Sequence, residues 1–292
     1  MLNFNPMLFL AQASEPPAIM QTIDRLARTK LSHLVIFIVA LTLVRLVLMP
    51  KLMNTPAHLR SGSFGIFKFL NETADALVYA AGLVFLVIRP FVLQTFFVPS
   101  GSMLDSLQIN DVLIGDKNIY RKSDPVAGDI VIFRPPMRAL DPGDTDKYFI
   151  KRLVGAPGDV VEIREGMLYR NGALADEPYN SRGKAQWDFK LVKEEGDTVP
   201  VIIAEDGSVN AIPGLTRGEY YDPDPVVQER RFNAPPAPVP PGYYLFIGDN
   251  RNQSLDGRSW GLVPRREVIA KAVWRLAPFG RFGKVEAHRY SN

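Results

Sequence analysis

The chain has 292 residues, a formal net charge of +3 and 47% hydrophobic residues, so it is long enough for one large domain or two modest ones. It contains no cysteine, which excludes disulfides, thiolate metal sites and cysteine nucleophiles. Its three histidines leave few candidates for a histidine-built zinc site or a Ser-His-Asp triad. The small positive charge argues against nucleic acid as a partner, because nucleic-acid binding usually requires a concentrated basic patch.

The first long apolar run follows an N-terminal segment, 1–30, whose brief apolar stretch lacks the basic residues that open a secretory signal peptide. Residues 34–44 carry no charge, and the run continues past Arg45 to Met49. Crossing a hydrocarbon core takes about 20 helical residues. We therefore predict a transmembrane helix at 31–50, which ends at Pro50 and has Arg45 as its least favourable residue.

A second apolar run follows a predicted connecting loop at 51–75. It covers 76–98 and is interrupted by Arg89 and Pro90, and an arginine can extend its charged end to the membrane surface. We predict a second transmembrane helix, with its exit, at 76–98. Buried helices of a soluble protein are the alternative for both runs, and basic residues on both sides of the first run leave the orientation open.

From Pro99 onward the chain consists of short runs of Val, Ile, Tyr and Phe separated by Gly, Pro, Asp and Asn. This spacing, without long amphipathic helices, is typical of an antiparallel β domain, and Asn171-Gly172 indicates a tight turn. We predict a mostly β fold, preceded by one or two N-terminal transmembrane helices, in which an antiparallel sheet carries an inserted smaller β-containing subdomain with a proline-rich linker. The predicted boundaries are a core at 99–164 and 240–280, an insertion at 165–239 and a C-terminal tail at 281–292.

Three polar clusters in the β region hold residue types that carry chemistry. The first is Pro-Ser-Gly-Ser-Met at 99–103, where glycine lets the backbone bend around an exposed hydroxyl. The second places Lys151 and Arg152 side by side on a strand, so that their side chains point to opposite faces. The third is the polar loop 248–258. Each cluster alone is more often an ordinary loop or a solvated basic pair.

Together and in this order, the clusters resemble the type I signal peptidases (leader peptidases), a family of membrane-anchored serine proteases. The resemblance rests on Ser-Gly-Ser-Met at 100–103, Lys-Arg-x-x-Gly-x-Pro-Gly-Asp at 151–159 and Gly-Asp-Asn-Arg-x-x-Ser-x-Asp at 248–256. It implies a serine endopeptidase that removes signal peptides from exported preproteins by cutting after small residues, of the Ala-x-Ala type.

The resemblance also implies roles for individual residues. Ser102 matches the nucleophile and Lys151 the general base. The Ser100 hydroxyl and the Ser102 amide match an oxyanion hole, and Ser254 matches the residue that orients the lysine. The resemblance also implies two charge pairs that shape the site, Asp249 with Arg152 and Asp256 with Arg258. In addition, we expect five side chains to line narrow apolar substrate pockets: Val98, Met103, Leu107, Phe149 and Ile150.

The chain departs from the family pattern at two places. Asp105-Ser106 stands where the family commonly has Pro-Thr, which adds a carboxylate near the nucleophile and leaves the rigidity of this loop open. Gly257 stands where the family commonly has serine, which puts some polar support in doubt. Neither departure removes a catalytic group.

A lysine can act as the base only when it is neutral. A free lysine has a pKa near 10.4, so about one in 2,500 is deprotonated at pH 7. Burial among apolar groups, without a carboxylate contact, lowers that pKa. The carboxylates must therefore be held by arginines, which gives a physical role to the expected pair of Asp249 and Arg152. No histidine is well placed to be the base, since His33 and His58 lie in or beside the apolar region and His288 is near the C-terminus.

These inferences predict a multi-pass protein of a bacterial-type inner (plasma) membrane, with its β domain on the extracytoplasmic side. Its expected partners are exported preproteins and the lipid bilayer, and we expect no cofactor, no metal and no nucleic acid. Two alternatives stay open. One is a self-cleaving Ser-Lys regulator, which would need a DNA-binding module in place of the apolar N-terminus. The other is a catalytically silent, membrane-tethered β scaffold.

Overall fold

A computed structural model describes residues 31–56, 60, 62–83, 93–141, 143–144, 147–209, 220, 222 and 224–290. The described chain divides into a helical unit that ends at Gln94 and a β-rich unit that begins at Thr95. The predicted N-terminal segment at 1–30 lies outside the described residues.

The helical unit consists of α1 (Leu31–Asn54) and α2 (Gly62–Gly82). Many large apolar side chains of α1 are exposed, among them Val35, Ile36, Leu46 and Val47. An ion pair joins the two helices, with Arg45 Nη1 2.7 Å from Asp75 Oδ1. The charge of Arg45, which lies inside the apolar run, is thus balanced by α2, as is usual for charges within apolar helices.

Among the described residues, one helix is long and apolar enough to cross a membrane. It is the segment Val35–Asn54, with 20 residues and a mean hydropathy of 2.3. It overlaps the predicted span at 31–50, but the helix continues past Pro50 to Asn54. A proline removes one backbone hydrogen bond, which a long apolar helix tolerates.

The described residues differ from the predicted bounds of the second transmembrane helix, which with its exit covered 76–98. Residues 76–82 end α2, which begins at Gly62 inside the predicted connecting loop 51–75, and Leu93–Phe97 is a strand. In the sequence, Arg89 and Pro90 separate the two apolar halves of this run, and proline disfavours a continuous helix; both lie outside the described residues. A multi-pass arrangement therefore has no support in the part of the chain that the structure describes.

In the described residues the β-rich unit forms two antiparallel sheets, which confirms the predicted fold class. The larger has the order β1-β2-β12-β3-β4-β10-β11, with β13 paired to β12, and the smaller has the order β7-β6-β5-β8-β9. The strands in chain order are β1 (Leu93–Phe97), β2 (Val112–Asp116), β3 (Ile130–Phe133), β4 (Phe149–Gly155), β5 (Val161–Arg164), β6 (Met167–Arg170), β7 (Ala173–Leu174), β8 (Asp188–Glu194), β9 (Asp197–Ile203), β10 (Tyr243–Ile247), β11 (Val263–Pro264), β12 (Val268–Ala277) and β13 (Gly283–Lys284). Three short helices accompany them: α3 (Ile119–Lys122), α4 (Pro225–Asn233) and α5 (Gly257–Trp260).

The middle of the larger sheet is the core that supports the functional site. All four residues of β3 are buried. This strand pairs with β12 on one side and with β4 on the other, and β4 also pairs with β10. Because β4 has hydrogen-bonded neighbours on both sides, the Lys151 and Arg152 that it carries are held on a rigid backbone.

Tight turns join the strands of the smaller sheet. Asn171 and Gly172 have φ values of 50° and 83° between β6 and β7, as a type I′ turn requires, which confirms the predicted turn. A Glu-Gly dipeptide with positive φ at both positions connects β5 to β6, and another connects β8 to β9. The side chains that these hairpins bury form a cluster with part of the larger sheet.

Two predicted boundaries differ from the structure. The insertion begins with β5, inside the range 99–164 assigned to the core, because β5 pairs with β6 across a tight turn. The tail predicted at 281–292 contains β13, which pairs with β12. The tail is therefore part of the β-rich unit at least to this strand.

Candidate active site

Ser102, the predicted nucleophile, lies on a short turn, Gly101–Met103, that follows β1. After this prediction we call the segment Gly101–Met103 the nucleophile turn. The turn is buried, and Ser102 is 9% exposed. The Ser102 hydroxyl oxygen is 2.5 Å from Lys151 Nζ and 3.3 Å from Ser100 Oγ. The structure thus places Lys151, which is 49 positions away from Ser102 in the sequence, beside the hydroxyls of Ser100 and Ser102.

Lys151 projects from the middle of β4 and is 6% exposed. Burial lowers the pKa of Lys151 to about 8, although Asp256 and Asp249 act to raise it; Arg258 lowers it further. At pH 7 an amine with this pKa is neutral in about a tenth of the molecules. A neutral amine at hydrogen-bond distance from a serine hydroxyl can accept its proton.

Arg152 holds the carboxylate of Asp249 in a buried ion pair. Arg152 Nε and Nη2 each donate to an Asp249 oxygen at 2.8 Å, and Nη1 donates to the carbonyl oxygen of Gly128 at 2.8 Å. Burial would lower the pKa of Arg152, but its hydrogen bonds and ion pair with Asp249 outweigh burial and raise it. The predicted pair is therefore present, and it engages a carboxylate that would otherwise favour a charged lysine.

Asp256 and Arg258 form the second predicted pair, at the start of α5. Arg258 Nε donates to Asp256 Oδ1 at 2.9 Å, and the amide of Gly248 donates to Oδ2 at 2.9 Å. Burial acts to raise the pKa of Asp256, but Arg258 and the hydrogen bonds lower it below its ordinary value. These bonds close the loop 248–258 on itself.

Ser254 lies in the same buried region, beside the nucleophile turn. A Cβ built on Gly248 would collide with both Ser254 Oγ and the carbonyl oxygen of Ser102. The Ser254 hydroxyl oxygen is buried and forms no hydrogen bond of normal geometry with any described group. Its role in orienting Lys151 therefore stays a prediction.

The five residues predicted to line the substrate pockets divide between two clusters. Val98, Met103, Leu107 and Ile150 pack together, whereas Phe149 packs with Phe133 and Trp260. Adjacent residues of a strand point to opposite faces, which separates Phe149 from Ile150. Met103 and Leu107 are only 1% and 0% exposed and belong to the buried core beneath the turn, so their contact with a substrate stays a prediction.

The first departure from the family pattern has an unexpected arrangement. Asp105 faces outward and pairs with Arg182 of the insertion at 2.8 Å, so its carboxylate is engaged away from Lys151. Hydrogen bonds from Ser181 and Arg182 lower the pKa of Asp105. The neighbouring Ser106 hydroxyl donates to Asp249 Oδ2 at 2.6 Å. Ser106 therefore adds a hydrogen bond to the buried ion pair of Asp249.

The second departure, Gly257, lies where the start of α5 packs closely on β10. A Cβ at Gly257 would lie 2.8 Å from the carbonyl oxygen of Phe246 and 2.8 Å from Leu245 Cδ1. Glycine allows this close approach, and the polar contacts of the loop come from Asp256 and Arg258 instead.

Asn250 is a site residue that the sequence interpretation missed. Its amide donates to the carbonyl oxygen of Ser102 at 3.1 Å, and its side-chain Nδ2 donates to the carbonyl oxygen of Gly101 at 3.0 Å. Both bonds hold the nucleophile turn against the loop 248–258. The position of Asn250 directly after Asp249, in the polar loop, was the available signal.

We expect Asn250→Ala to lower kcat about 10- to 100-fold with little change in KM, because the Gly101 carbonyl loses its donor and Ser102 shifts. Asn252→Ala is the matched control, since Asn252 bonds to Lys184 and Gln186 outside the site. Steady-state kinetics on a precursor peptide measure both variants. Equal effects of the two substitutions would contradict a specific role for Asn250.

Two further residues reach the site from the insertion. Glu177 pairs with Arg251, whose Nε donates to the carbonyl oxygen of Gly248 at 3.1 Å. The ring of Tyr179 stacks on the Arg152 guanidinium, with 3.8 Å from Cζ to the ring centre. The sequence around Glu177 and Tyr179 does not indicate these contacts, because they form only when the insertion has folded. Within the described ranges, no cluster of three or more His, Asp or Glu side chains is arranged to hold a metal ion.

Comparisons with known proteins agree with this arrangement. Residues 70–277, well over half of the chain, match the family model described as signal peptidase, peptidase S26. A probable signal peptidase I-2 of Synechocystis sp. is 35% identical over 67% of this chain and 68% of the relative. The signal peptidase I of Leptolyngbya laminosa is 31% identical over 68% of this chain and 75% of its own, and that of Pseudomonas aeruginosa is 31% identical over 67% and 69%.

The family match covers the nucleophile turn, β4 and the loop 248–258, which are the three segments that the fold brings together. A buried serine–lysine contact is a chemically competent arrangement for hydrolysis by a serine peptidase. The chain belongs to the peptidase S26 family and is a serine endopeptidase that cleaves signal peptides.

Proposed function

We propose that Ser102 is the nucleophile of this signal peptidase and that Lys151 is its general base. The observation that carries the proposal is the 2.5 Å contact between Lys151 Nζ and Ser102 Oγ in a buried site. A base must lie within hydrogen-bond reach of the proton that it takes, and it must be unprotonated. The contact supports the first condition, and the lowered pKa of Lys151 supports the second.

The reaction then proceeds through an acyl-enzyme. Neutral Lys151 accepts the hydroxyl proton while Ser102 Oγ bonds to the scissile carbonyl carbon, and the carbonyl electron pair moves to its oxygen. The Ser100 hydroxyl and the Ser102 amide stabilise this oxyanion. The Lys151 ammonium protonates the leaving nitrogen as the C–N bond breaks. A water molecule that gives its proton to Lys151 then hydrolyses the ester and frees Ser102.

We further propose that the enzyme acts on exported preproteins and cuts after small residues. Val98 and Ile150 are 3% and 8% exposed and pack with Met103 of the nucleophile turn, so they leave only a small apolar area accessible. A narrow apolar wall accepts small side chains and excludes bulky ones by steric clash. This supports a preference for precursors of the Ala-x-Ala type.

We also propose that α1 anchors the enzyme in a plasma membrane and that the β-rich unit lies on the extracytoplasmic side. The support is the length and apolar composition of Val35–Asn54, whose exposed side chains suit a lipid environment. The full-length chain should stay with the bilayer after alkaline extraction. Release into the soluble fraction would contradict the anchor.

The test is incubation of the purified full-length chain, in detergent, with a secretory precursor. We expect a single new N-terminus directly after the Ala-x-Ala sequence, identified by mass spectrometry. The matched control is the same precursor with leucine as the residue before the cleaved bond, which should be cleaved at least about tenfold more slowly. Equal cleavage of both precursors would contradict the narrow apolar pocket, and no cleavage of either precursor would contradict the roles proposed for Ser102 and Lys151.

A further inference from the structure

The C-terminal tail folds back along the β-rich unit beyond β13. The amide of Val285 donates to the carbonyl oxygen of Val273 at 3.0 Å. Further along, the carbonyl oxygen of His288 lies so close to Gly128 that any Cβ at this glycine, whose φ is +95°, would collide with it. Residues 278–290 lie beyond the range 70–277 that the family model matches. The docked tail is therefore an addition to the matched segment.

Tyr290, at the end of the described tail, meets Tyr179 of the insertion. Their hydroxyl oxygens are 2.6 Å apart, and the Arg170 guanidinium lies 4.9 Å from the centre of the Tyr290 ring. Burial raises the pKa of Tyr290 to about 12 and also raises that of Tyr179. Both phenols are therefore neutral and able to hydrogen-bond near pH 7.

Tyr179 connects the tail to the buried ion pair of the site. One face of its ring covers the Arg152 guanidinium, which in turn holds Asp249 through two hydrogen bonds. Its hydroxyl donates to Glu177 Oε1 at 2.6 Å, and Glu177 pairs with Arg251 of the loop 248–258. The Nη1 group of Arg152 donates to the carbonyl oxygen of Gly128, which is the glycine that the tail covers.

We propose that Tyr290 and Tyr179 are positioning residues: the docked tail holds Tyr179 against Arg152, and this keeps Asp249 on Arg152 and away from Lys151. The inference rests on the proposed role of Lys151 as the base. It assigns a function in catalysis to the tail, whose residues do not themselves touch the nucleophile in the described contacts.

The charges that act on Lys151 explain why this positioning matters. Asp256 and Asp249 favour the ammonium form, whereas burial and Arg258 favour the neutral amine. Loss of Tyr290 would admit water around Arg152 and let Asp249 move, and both changes raise the pKa of Lys151. Each unit of that rise leaves about tenfold less neutral lysine at pH 7.

The test compares full-length Tyr290→Ala and Tyr290→Phe with the wild type by measuring kcat and KM from pH 6 to pH 10. For Tyr290→Ala we expect the rising limb of kcat/KM to move up by about one pH unit. Activity should fall about tenfold at pH 7 and recover near pH 10, with KM little changed. Tyr290→Phe, which loses only the hydroxyl, should shift the limb less in the same direction. Tyr243→Ala, at an exposed tyrosine of β10, should leave the profile unchanged.

An equal loss of activity at every pH would overturn the inference, because a purely structural role lowers the amount of active enzyme without moving the profile. If Tyr290→Ala does not fold, Tyr290→Phe decides, and a wild-type profile for that variant would also overturn it. Lys151→Met in the same assay separates the two proposals. Activity in Lys151→Met would refute the base itself, whereas an inactive Lys151→Met beside unshifted tyrosine variants would refute only the role of the tail.

Discussion

Replacing Ser102 with alanine is expected to abolish cleavage of a secretory precursor, lowering kcat/KM about 10⁴-fold or more. The substitution removes the oxygen that lies 2.5 Å from Lys151 Nζ and that would form the acyl-enzyme. The fold should persist, because in the described structure the Ser102 hydroxyl bonds only to Lys151 and Ser100. Product formation at equal amounts of folded protein measures the effect.

Ser100→Ala is the matched control for Ser102→Ala. The Ser100 hydroxyl is 3.3 Å from Ser102 Oγ, where it would stabilise the oxyanion, and loss of one such donor costs about 10²- to 10³-fold in kcat. The nucleophile itself remains in this variant. Normal processing by Ser102→Ala would show that Ser102 is not the nucleophile, and a larger loss in Ser100→Ala would reverse the roles of the two serines.

Lys151→Met is expected to remove activity while stabilising the folded β-rich unit. Methionine fills a similar apolar space but has no charge to desolvate. Burial lowers the pKa of Lys151 from 10.5 to about 8. That difference corresponds to about 3 kcal/mol of unfolding free energy, which the wild type loses when the lysine is protonated.

The pH dependence identifies the origin of this stability difference. Below pH 8 the lysine is protonated in both the folded and the unfolded states, so the wild type bears the full cost. Above pH 10.5 it is neutral in both states and the cost disappears. The advantage of Lys151→Met in unfolding free energy should therefore shrink as the pH rises from 8 to 10.5.

Denaturant unfolding of the full-length proteins at pH 6.5 and pH 10 measures this difference. Lys193→Met is the matched control, because Lys193 is an exposed lysine of β8 and its replacement should change stability by no more than about 0.5 kcal/mol. A stability gain of equal size at both pH values, or a loss of stability in Lys151→Met, would contradict the cost of burying the amine.

Local patterns were sufficient to predict the β architecture but not the ends of the apolar helices. The turn at Asn171-Gly172 could be predicted because its conformation depends on those two residues. The predicted bounds of the helix at 76–98 differ from the structure because a membrane helix and a strand can have the same apolar composition. The strand is distinguished from a helix by the pairing of Leu93–Phe97 with β2. This pairing depends on residues that do not belong to the apolar run.

Contacts between residues distant in the sequence also explain which residues of the site could not be predicted. Ser102 and Lys151, which the structure brings into contact, could be selected as candidate site residues because their motifs are short and contiguous. Tyr179 carries no such signal, since it reaches Arg152 only after the insertion has folded. Ser106 was counted as a departure that left the loop in doubt, and its hydrogen bond to Asp249 could not be inferred before the nucleophile turn and the loop 248–258 were placed together.

The decisive measurement is the pH dependence of kcat/KM for the full-length wild type between pH 6 and pH 11. If the base is Lys151, with its pKa lowered by burial to about 8, kcat/KM should rise tenfold per pH unit and level off above about pH 8. A rise that continues to about pH 10.5, the value of an exposed lysine, would contradict a buried neutral lysine as the base of this enzyme.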